Sequence, residues 1–319
     1  MSPAVADRHR LGRSTVEVSA LGFGAAAMGY LYEGVSDEDA RRTMEHVAET
    51  LRYVDVAPFY GFGLAERRVG AVLRSRARDS FVLSTKVGRL LRPEAPDGRA
   101  GAALYDFSRD GILRSVEESL TRLGLDRVDI LYIHDPDDHV EQALSEAYPA
   151  VAELRDQGVV GAIGVGMNQS AVPTRFVTDT DIDCVLLAGR YTLLEQHSLA
   201  DLLPACVANG VSIVIGGVYN SGVLADPRPD SYYNYEPVPE HLLRRAQALK
   251  GVCDRHDVPL KAAAIQFPTH HPAIASVLTG ARSIAEIDEN VAMFERPVPA
   301  ELWKDLVEAE LIPAESVTS

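Results

Sequence analysis

The chain has 319 residues, 46% of them hydrophobic and 24% charged, an ordinary globular composition that excludes disordered, collagenous and mucin-like classes. Its 46 acids against 31 bases give a formal charge of -15, which repels phosphate backbones and disfavours nucleic acid as a partner, although a local Arg or helix N-terminus can still hold a small anion. Length alone admits one domain or two, and size scaling gives the folded chain a surface of roughly 13,000 Å², with about three quarters of the extended chain's surface buried.

Arg10 to Ser14, followed by alternating Val16, Val18 and Ser19, suggests a small hairpin at the start of the chain. The apolar run from Val16 to Gly24 is the first strand candidate, and Ser36 then precedes Asp37, Glu38 and Asp39, an N-cap with an acidic first turn. The beat repeats with RYVDV at 52–56 before LAERRVGAVLRS at 64–75, FVLSTK at 81–86 before SVEESLTRLG at 115–124, and VDILYIH at 128–134 before a helical segment at 141–157. GAIGVG at 161–166 precedes a short helix or turn at 170–177, and CVLLAG at 184–189 precedes a helix at 199–209. VSIVIGG at 211–217 leads into a long insertion and a helix at 239–254, and ASVLTG at 275–280 completes the series.

Eight apolar strands, most followed by an amphipathic segment, predict an α/β fold: a single (β/α)8 TIM barrel over residues 1–319, with an N-terminal hairpin and extended strand-end loops. An open doubly wound sheet is the runner-up, but it would ordinarily use fewer strands before a second domain, and no Pro/Gly-rich linker divides the chain. The insertion ADPRPDSYYNYEPVPE at 225–240 reads either as a substrate-side loop whose Tyr rings line a ligand or as a flap packed by its own rings.

In such a barrel the C-terminal ends of the strands converge on the active site. Asp55, Lys86 and His134 are therefore expected together, joined by Tyr60 from the loop after Asp55. Singly, each would ordinarily be a salt bridge or a cap; together they describe carbonyl/alcohol redox chemistry. An ammonium at Lys86 would stabilise tyrosinate and draw the Tyr60 pKa below its reference near 10. Asp55 would hold Lys86, and His134 would hydrogen-bond the reacting oxygen beside the Tyr60 hydroxyl.

These residues stand within segments through which the sequence resembles the aldo-keto reductases over nearly its full length. The matching pieces are LGFGAAAMG at 21–29, DVAPFYGFGLAERRVG at 55–70, STKVGR at 84–89, YIHDPDDH at 132–139, GVGMN at 164–168 and GARSIAEIDEN at 280–290. DFSRDG at 106–111, HDPDDH, AGRYTLLEQ at 188–196 and GGVYNSGVL at 216–224 look most like the aldose 1-dehydrogenase branch, which includes L-fucose and L-galactose dehydrogenases and related pyridoxal dehydrogenases. The resemblance implies a catalytic tetrad of Asp55, Tyr60, Lys86 and His134. It also implies NAD(P)-dependent oxidation of a threo-configured aldose to its aldonolactone, with pyridoxal oxidation or general aldehyde and ketone reduction as alternatives.

The same resemblance places NAD or NADP against Met28, Asn168, Gly217, Tyr219, Gly280, Arg282, Glu289 and Asn290. Asn168 would meet the nicotinamide carboxamide, Arg282 a 2'-phosphate, and Glu289 and Asn290 the adenine. Two positions depart from the family pattern: Ala188 replaces the usual glutamine, and Gly216 the aromatic platform, with Val218 and Tyr219 nearby. Arg190, Tyr191 and the 225–240 loop are candidate substrate selectors.

Competing signals are weaker. GFGAAA at 22–27 imitates a dinucleotide fingerprint, but Asp55 lies 31 residues beyond Gly24 rather than the roughly 20 that a Rossmann unit requires. His134, Asp135, Asp137, Asp138 and His139 would suit a barrel metallohydrolase, yet the run is no H-E-x-x-H helix and His270 and His271 lie elsewhere, so no metal is expected. A noncatalytic nicotinamide-binding barrel is the other alternative. Cys184, Cys206 and Cys253 form no CxxC pair, which fits inert thiols in a reducing compartment. The opening MSPAVADRHR has no apolar signal core and no segment has the roughly 20 apolar residues of a membrane span. A cytoplasmic protein without membrane contact, acting on a small-molecule aldose or aldehyde and of unspecified oligomeric state, is expected.

Overall fold

A computed structural model describes residues 3–29, 34–92, 103–234 and 236–317. Its centre is a closed barrel of eight parallel strands: β1 Leu21–Gly24, β2 Tyr53–Asp55, β3 Val82–Val87, β4 Ile130–His134, β5 Ala162–Met167, β6 Cys184–Ala188, β7 Ser212–Gly216 and β8 Ile274–Thr279. Each strand pairs with the next in sequence, and β8 closes on β1 with Val277 opposite Leu21. All eight strand candidates are therefore strands, and closure excludes the doubly wound sheet. The accessible surface, 13629 Å², is close to the size expectation.

The helices α1 Asp37–Thr50, α2 Leu64–Leu73, α3 Arg109–Leu123, α4 Tyr148–Asp156, α5 Ala171–Asp179, α6 Leu202–Asn209, α7 Glu240–Arg255, α8 Leu260–Gln266, α9 Ile284–Glu295 and α10 Ala300–Glu308 follow the strands. The Ser36 side chain caps α1 by accepting from the Asp39 amide at 3.1 Å, as its spacing with the acidic first turn predicts. α3 begins six residues before the 115–124 segment, at Arg109 (115 minus 109), capped by Ser108. The predicted 141–157 helix has a π-helical turn, Ala143–Ala147, inserted ahead of α4.

Period-two alternation divides the strands between two apolar clusters. Val54, Leu83, Leu131, Ile133, Ile163 and Val165 face the helices, while Tyr53, Val82, Ile130, Tyr132, Ala162, Cys184, Leu186 and Val214 fill the barrel with Leu11 and Val18. Leu11 and Val18 come from the expected hairpin, Arg8–Arg10 against Glu17–Ser19, which plugs the N-terminal end. Among the described residues no helix is long and apolar enough to cross a membrane.

Candidate active site

The alternation that sends Tyr53, Val82 and Ile130 inward also sends Asp55, Ser84, Lys86, Tyr132 and His134 inward, two and four residues further along β2, β3 and β4. Register stacks them: Asp55 lies opposite Ser84, Lys86 opposite Tyr132 and His134 opposite Gly166. Buried Asp55 and Lys86 form an ion pair with Nζ 2.6 Å from Oδ2. Lys86 Nζ also donates to the Val56 carbonyl at 3.2 Å and the Tyr60 hydroxyl at 3.1 Å. Ser84 donates to the other Asp55 oxygen at 2.7 Å. Sequence reasoning missed Ser84, although its i, i-2 relation to Lys86 in a strand was a legible signal.

Tyr60 lies on the turn before α2, where its carbonyl accepts from the Ala65 amide. The turn is seated by a backbone contact between Gly29 and Gly61, where a Cβ on either glycine would run into the other strand of chain, and Gly61 has a φ of +60°. The Tyr60 ring stands edge-on to His134, at an interplanar angle of 87° and a centroid distance of 6.4 Å. Asp55, Tyr60, Lys86 and His134 thus meet at one strand-end cluster, as expected from their positions in the sequence.

Electrostatics corrects one expectation. Burial pushes the Tyr60 pKa up, Lys86 pulls it down and Asp55 raises it, leaving the phenol above its ordinary value rather than below it. The reason is that desolvation of the phenolate outweighs an ammonium already shared with Asp55. Lys86 itself is raised: burial opposes its charge, but Asp55 and Tyr60 outweigh burial. His134 is held well below the ordinary imidazole value by burial and by the Arg89 and Lys86 charges, so it is neutral near pH 7.

Beside the cluster, Asp135 pairs with Arg89 and its Oδ2 lies 3.6 Å from His134 Nε2. Arg89 is stacked between Phe59 and Tyr105, 4.9 Å and 5.0 Å from the ring centroids, and Tyr105 stacks on His139. Within the acidic run 134–139, Asp135 is therefore engaged by an arginine and His139 by a ring. Among the described residues no three His, Cys, Asp or Glu side chains gather as a metal-holding group. His270 packs on Trp303 and His271 on Tyr191, in the outer layer.

The residues associated with a cofactor fall at several strand ends. Met28 is buried after β1, its carbonyl accepting from Arg68 at 2.7 Å. Asn168 is exposed just past β5 and Gly217 just past β7. Tyr219 donates to Asn290 Oδ1 at 3.1 Å, and Asn290 Nδ2 donates to the Gly280 carbonyl at 3.4 Å. The Arg282 amide and guanidinium reach Glu286 at 2.8 Å and 3.3 Å, while Glu289 pairs with Lys261 at 2.6 Å. Tyr219, Gly280, Arg282, Glu289 and Asn290 thus gather around the first half of α9.

The 225–240 loop contains the short ladder Tyr232–Tyr233 with Glu236–Pro237. The Tyr233 hydroxyl donates to Glu195, and Arg190 donates to it at 3.3 Å, which anchors the loop to the segment after β6. Tyr235 lies outside the described residues. Arg190 keeps a position beside the loop, but Tyr191 does not act as a selector. It is fully buried, its ring packs on Phe267, and its hydroxyl donates to the Ser316 carbonyl at 3.4 Å, because the chain turns outward after β6.

A closed (β/α)8 barrel with this tetrad-bearing mouth defines a class, the barrel oxidoreductases that depend on NAD(P), and the chain is an enzyme of that class. It belongs to the Aldo/keto reductase family, whose sequence profile matches residues 20–310. The chain is 44% identical to a D-threo-aldose 1-dehydrogenase from Pseudomonas sp. over 313 residues, covering 93% of this chain and 95% of the relative. It is 38% identical to a pyridoxal 4-dehydrogenase from Microbacterium luteolum, with 96% and 98% covered. Among solved structures it superimposes on an aldo-keto reductase from Bacillus halodurans in its holo form with a TM-score of 0.77, at 28% identity and 97% coverage of both chains.

Proposed function

We propose that the enzyme oxidises the anomeric carbon of a threo-configured aldose, such as L-fucose or L-galactose, to the aldonolactone, with Asp55, Tyr60, Lys86 and His134 as its catalytic residues. The carrying observation is the contact chain from Asp55 through Lys86 to the Tyr60 hydroxyl, with neutral His134 beside it. The 44% identity to an aldose 1-dehydrogenase supports the substrate class. Pyridoxal is the second reading, supported by the 38% relative.

The strand ends fit a nicotinamide dinucleotide. Ala188, Gly216 and Gly280 leave β6, β7 and β8 without bulk, and a Cβ on Gly216 or Gly280 would meet nothing nearer than 3.5 Å or 3.6 Å. Asn220 Oδ1 and Thr279 Oγ1 are buried there without a hydrogen-bond partner among the described residues. Asn168 would hold the nicotinamide end and Gly280, Arg282, Glu289 and Asn290 the adenosine end, with Met28, Gly217 and Tyr219 as further cofactor contacts and NAD and NADP both compatible. Bound there, the nicotinamide supplies the hydride acceptor for oxidation or the donor for reduction.

The protein's share of the chemistry is proton transfer. His134 Nε2–H donates to the reacting oxygen, and its neutrality keeps the imidazole from competing as an acid. In reduction the neutral Tyr60 phenol donates its proton to a carbonyl. In oxidation Tyr60, ionised with Lys86 beside it, accepts the proton of the anomeric hydroxyl. Because burial leaves the Tyr60 pKa above its ordinary value, oxidation accelerates as pH rises toward that value, whereas reduction is lost above it. Three unpaired buried cysteines support a reducing, cytoplasmic setting.

The test is a matrix of L-fucose, L-galactose and pyridoxal against NAD and NADP, followed by the absorbance of the reduced cofactor. Lactone formed from an L-sugar is the expected result; turnover confined to pyridoxal or to aldehyde reduction would refute it. Tyr60→Phe should lower kcat by about 10²–10⁴ while the protein still binds cofactor, and unaltered kcat would remove Tyr60 from the mechanism.

A further inference from the structure

Distance, charge and exposure set the Asp135 carboxylate beside the Tyr60 and His134 cluster. Its Oδ2 is 3.6 Å from His134 Nε2, the nitrogen assigned above to the reacting oxygen. Its charge acts on the Tyr60 phenol, which it raises, and Lys86 acts on it in turn. Its side chain keeps 22% of its surface open, so a ligand can reach it, whereas Asp55 is closed off by Lys86 and Ser84.

The backbone and the neighbours show that the position is built. Asp135 has a φ of +43°, a left-handed conformation that few residues with a side chain adopt, Asp and Asn chief among them, and that its neighbours hold in place. Its amide donates to the Gly166 carbonyl at 3.0 Å, which fixes the turn out of β4. The carboxylate is clamped by Arg89, and Arg89 is itself held between Phe59 and Tyr105. The proton-transfer mechanism uses neither Asp135 nor Arg89.

We infer that Asp135, positioned by Arg89, is a specificity-determining residue that reads the hydroxyl on the carbon next to the reacting one. An ionised carboxylate only accepts hydrogen bonds, so it selects a substrate with a donor at that place. Neighbouring oxygens of a sugar are separated by about one hydrogen-bond length. An oxygen bound at His134 Nε2 therefore carries its neighbour toward Asp135 Oδ2. A substrate without that hydroxyl forgoes a hydrogen bond to a charged acceptor that Arg89 alone does not saturate, a loss that discriminates more strongly than lost apolar contact. Arg89 offers further donors to the same polyhydroxylated face.

This inference rests on the aldose reading above and is tested separately from it. The experiment compares an accepted aldose with its 2-deoxy analogue in the wild type and in Asp135→Asn, a variant suited to the left-handed backbone because Asn tolerates it. Two quantities are read: kcat/KM for oxidation, and the dissociation constant for sugar added to protein saturated with reduced cofactor, a mixture that cannot oxidise it. The wild type is expected to prefer the 2-hydroxylated sugar by about 10-fold or more in both quantities. In Asp135→Asn that preference should collapse to within about 3-fold. Equal losses for both sugars, leaving the preference intact, would make Asp135 a support for His134 and overturn the inference, as would a wild type indifferent to the 2-hydroxyl. A wild type that oxidises no aldose at all would instead refute the aldose reading, and the inference with it, before any variant is made.

Discussion

Lys86 has two jobs whose separate removal is informative: it neutralises Asp55 and it pulls down the Tyr60 pKa against burial. Lys86→Met removes the pull. The rising limb of the oxidation profile should then move to higher pH, with kcat lowered by about 10²–10⁴; a pH–rate profile in which that limb stays in place would show that Lys86 does not tune Tyr60. The pair also bears on stability, because a buried ion pair that loses one member ordinarily costs about 3–5 kcal/mol. The Lys86 pKa is raised in the folded state, so its contribution is fully present below the lysine value of the unfolded chain and fades only as pH climbs through the folded-state value. Asp55, Lys86 and His134 were legible as strand-end residues. The Arg89–Asp135 pair was not, since nothing in the acidic run around Asp135 names a cationic partner and Arg89 becomes one only through the fold.

The elements hold these side chains through contacts with little tolerance. Buried Glu66 of α2 accepts from Thr85 on the outer face of β3 at 2.8 Å and pairs with Arg122 of α3, so one carboxylate fastens both helices behind the strand that carries Lys86. Strands β5 and β6 approach so closely at Gly164 that a Cβ there would run into the Cys184 carbonyl oxygen, with the Cys184 carbonyl carbon at 2.9 Å. Neither backbone can yield without disturbing the ladder, so Gly164→Ala should destabilise the protein by about 1–3 kcal/mol. A denaturant midpoint equal to the wild type's would show that the barrel opens at this seam without cost. Strand existence was readable from apolar runs ending in Gly, Asp, Lys or His. The π-helical turn before α4 and the early start of α3 were not, since local packing places such boundaries.

At the scale of the whole molecule, the acidic balance coexists with cations reserved for particular places: Lys86 in the mouth, Arg89 at its rim, Arg282 at the start of α9. All three cysteines are buried and unpaired. Burial raises the pKa of each thiol, that of Cys206 and of Cys253 to about 12, so the thiolate that would react is scarce at neutral pH. A disulfide reagent should accordingly leave the native protein unmodified over minutes and titrate all three thiols in denaturant; rapid labelling without denaturant would mean that a cysteine is more accessible than its packing indicates.

The sequence by itself determined the alternation of strand and helix, because hydrophobic periodicity is a local property; it favoured a barrel, and the closure of β8 on β1 decided against an open sheet. It also determined which residues end the strands, and so which candidates, Asp55, Lys86 and His134, meet at the barrel mouth. Only the tertiary structure decided how those residues are charged and what stands beside them. Burial against ammonium at Tyr60, the outward turn of Tyr191 and the clamp of Arg89 on Asp135 each depend on distances between segments far apart in the chain. Desolvation and Coulomb energy are set by such distances, and a sequence pattern does not contain them.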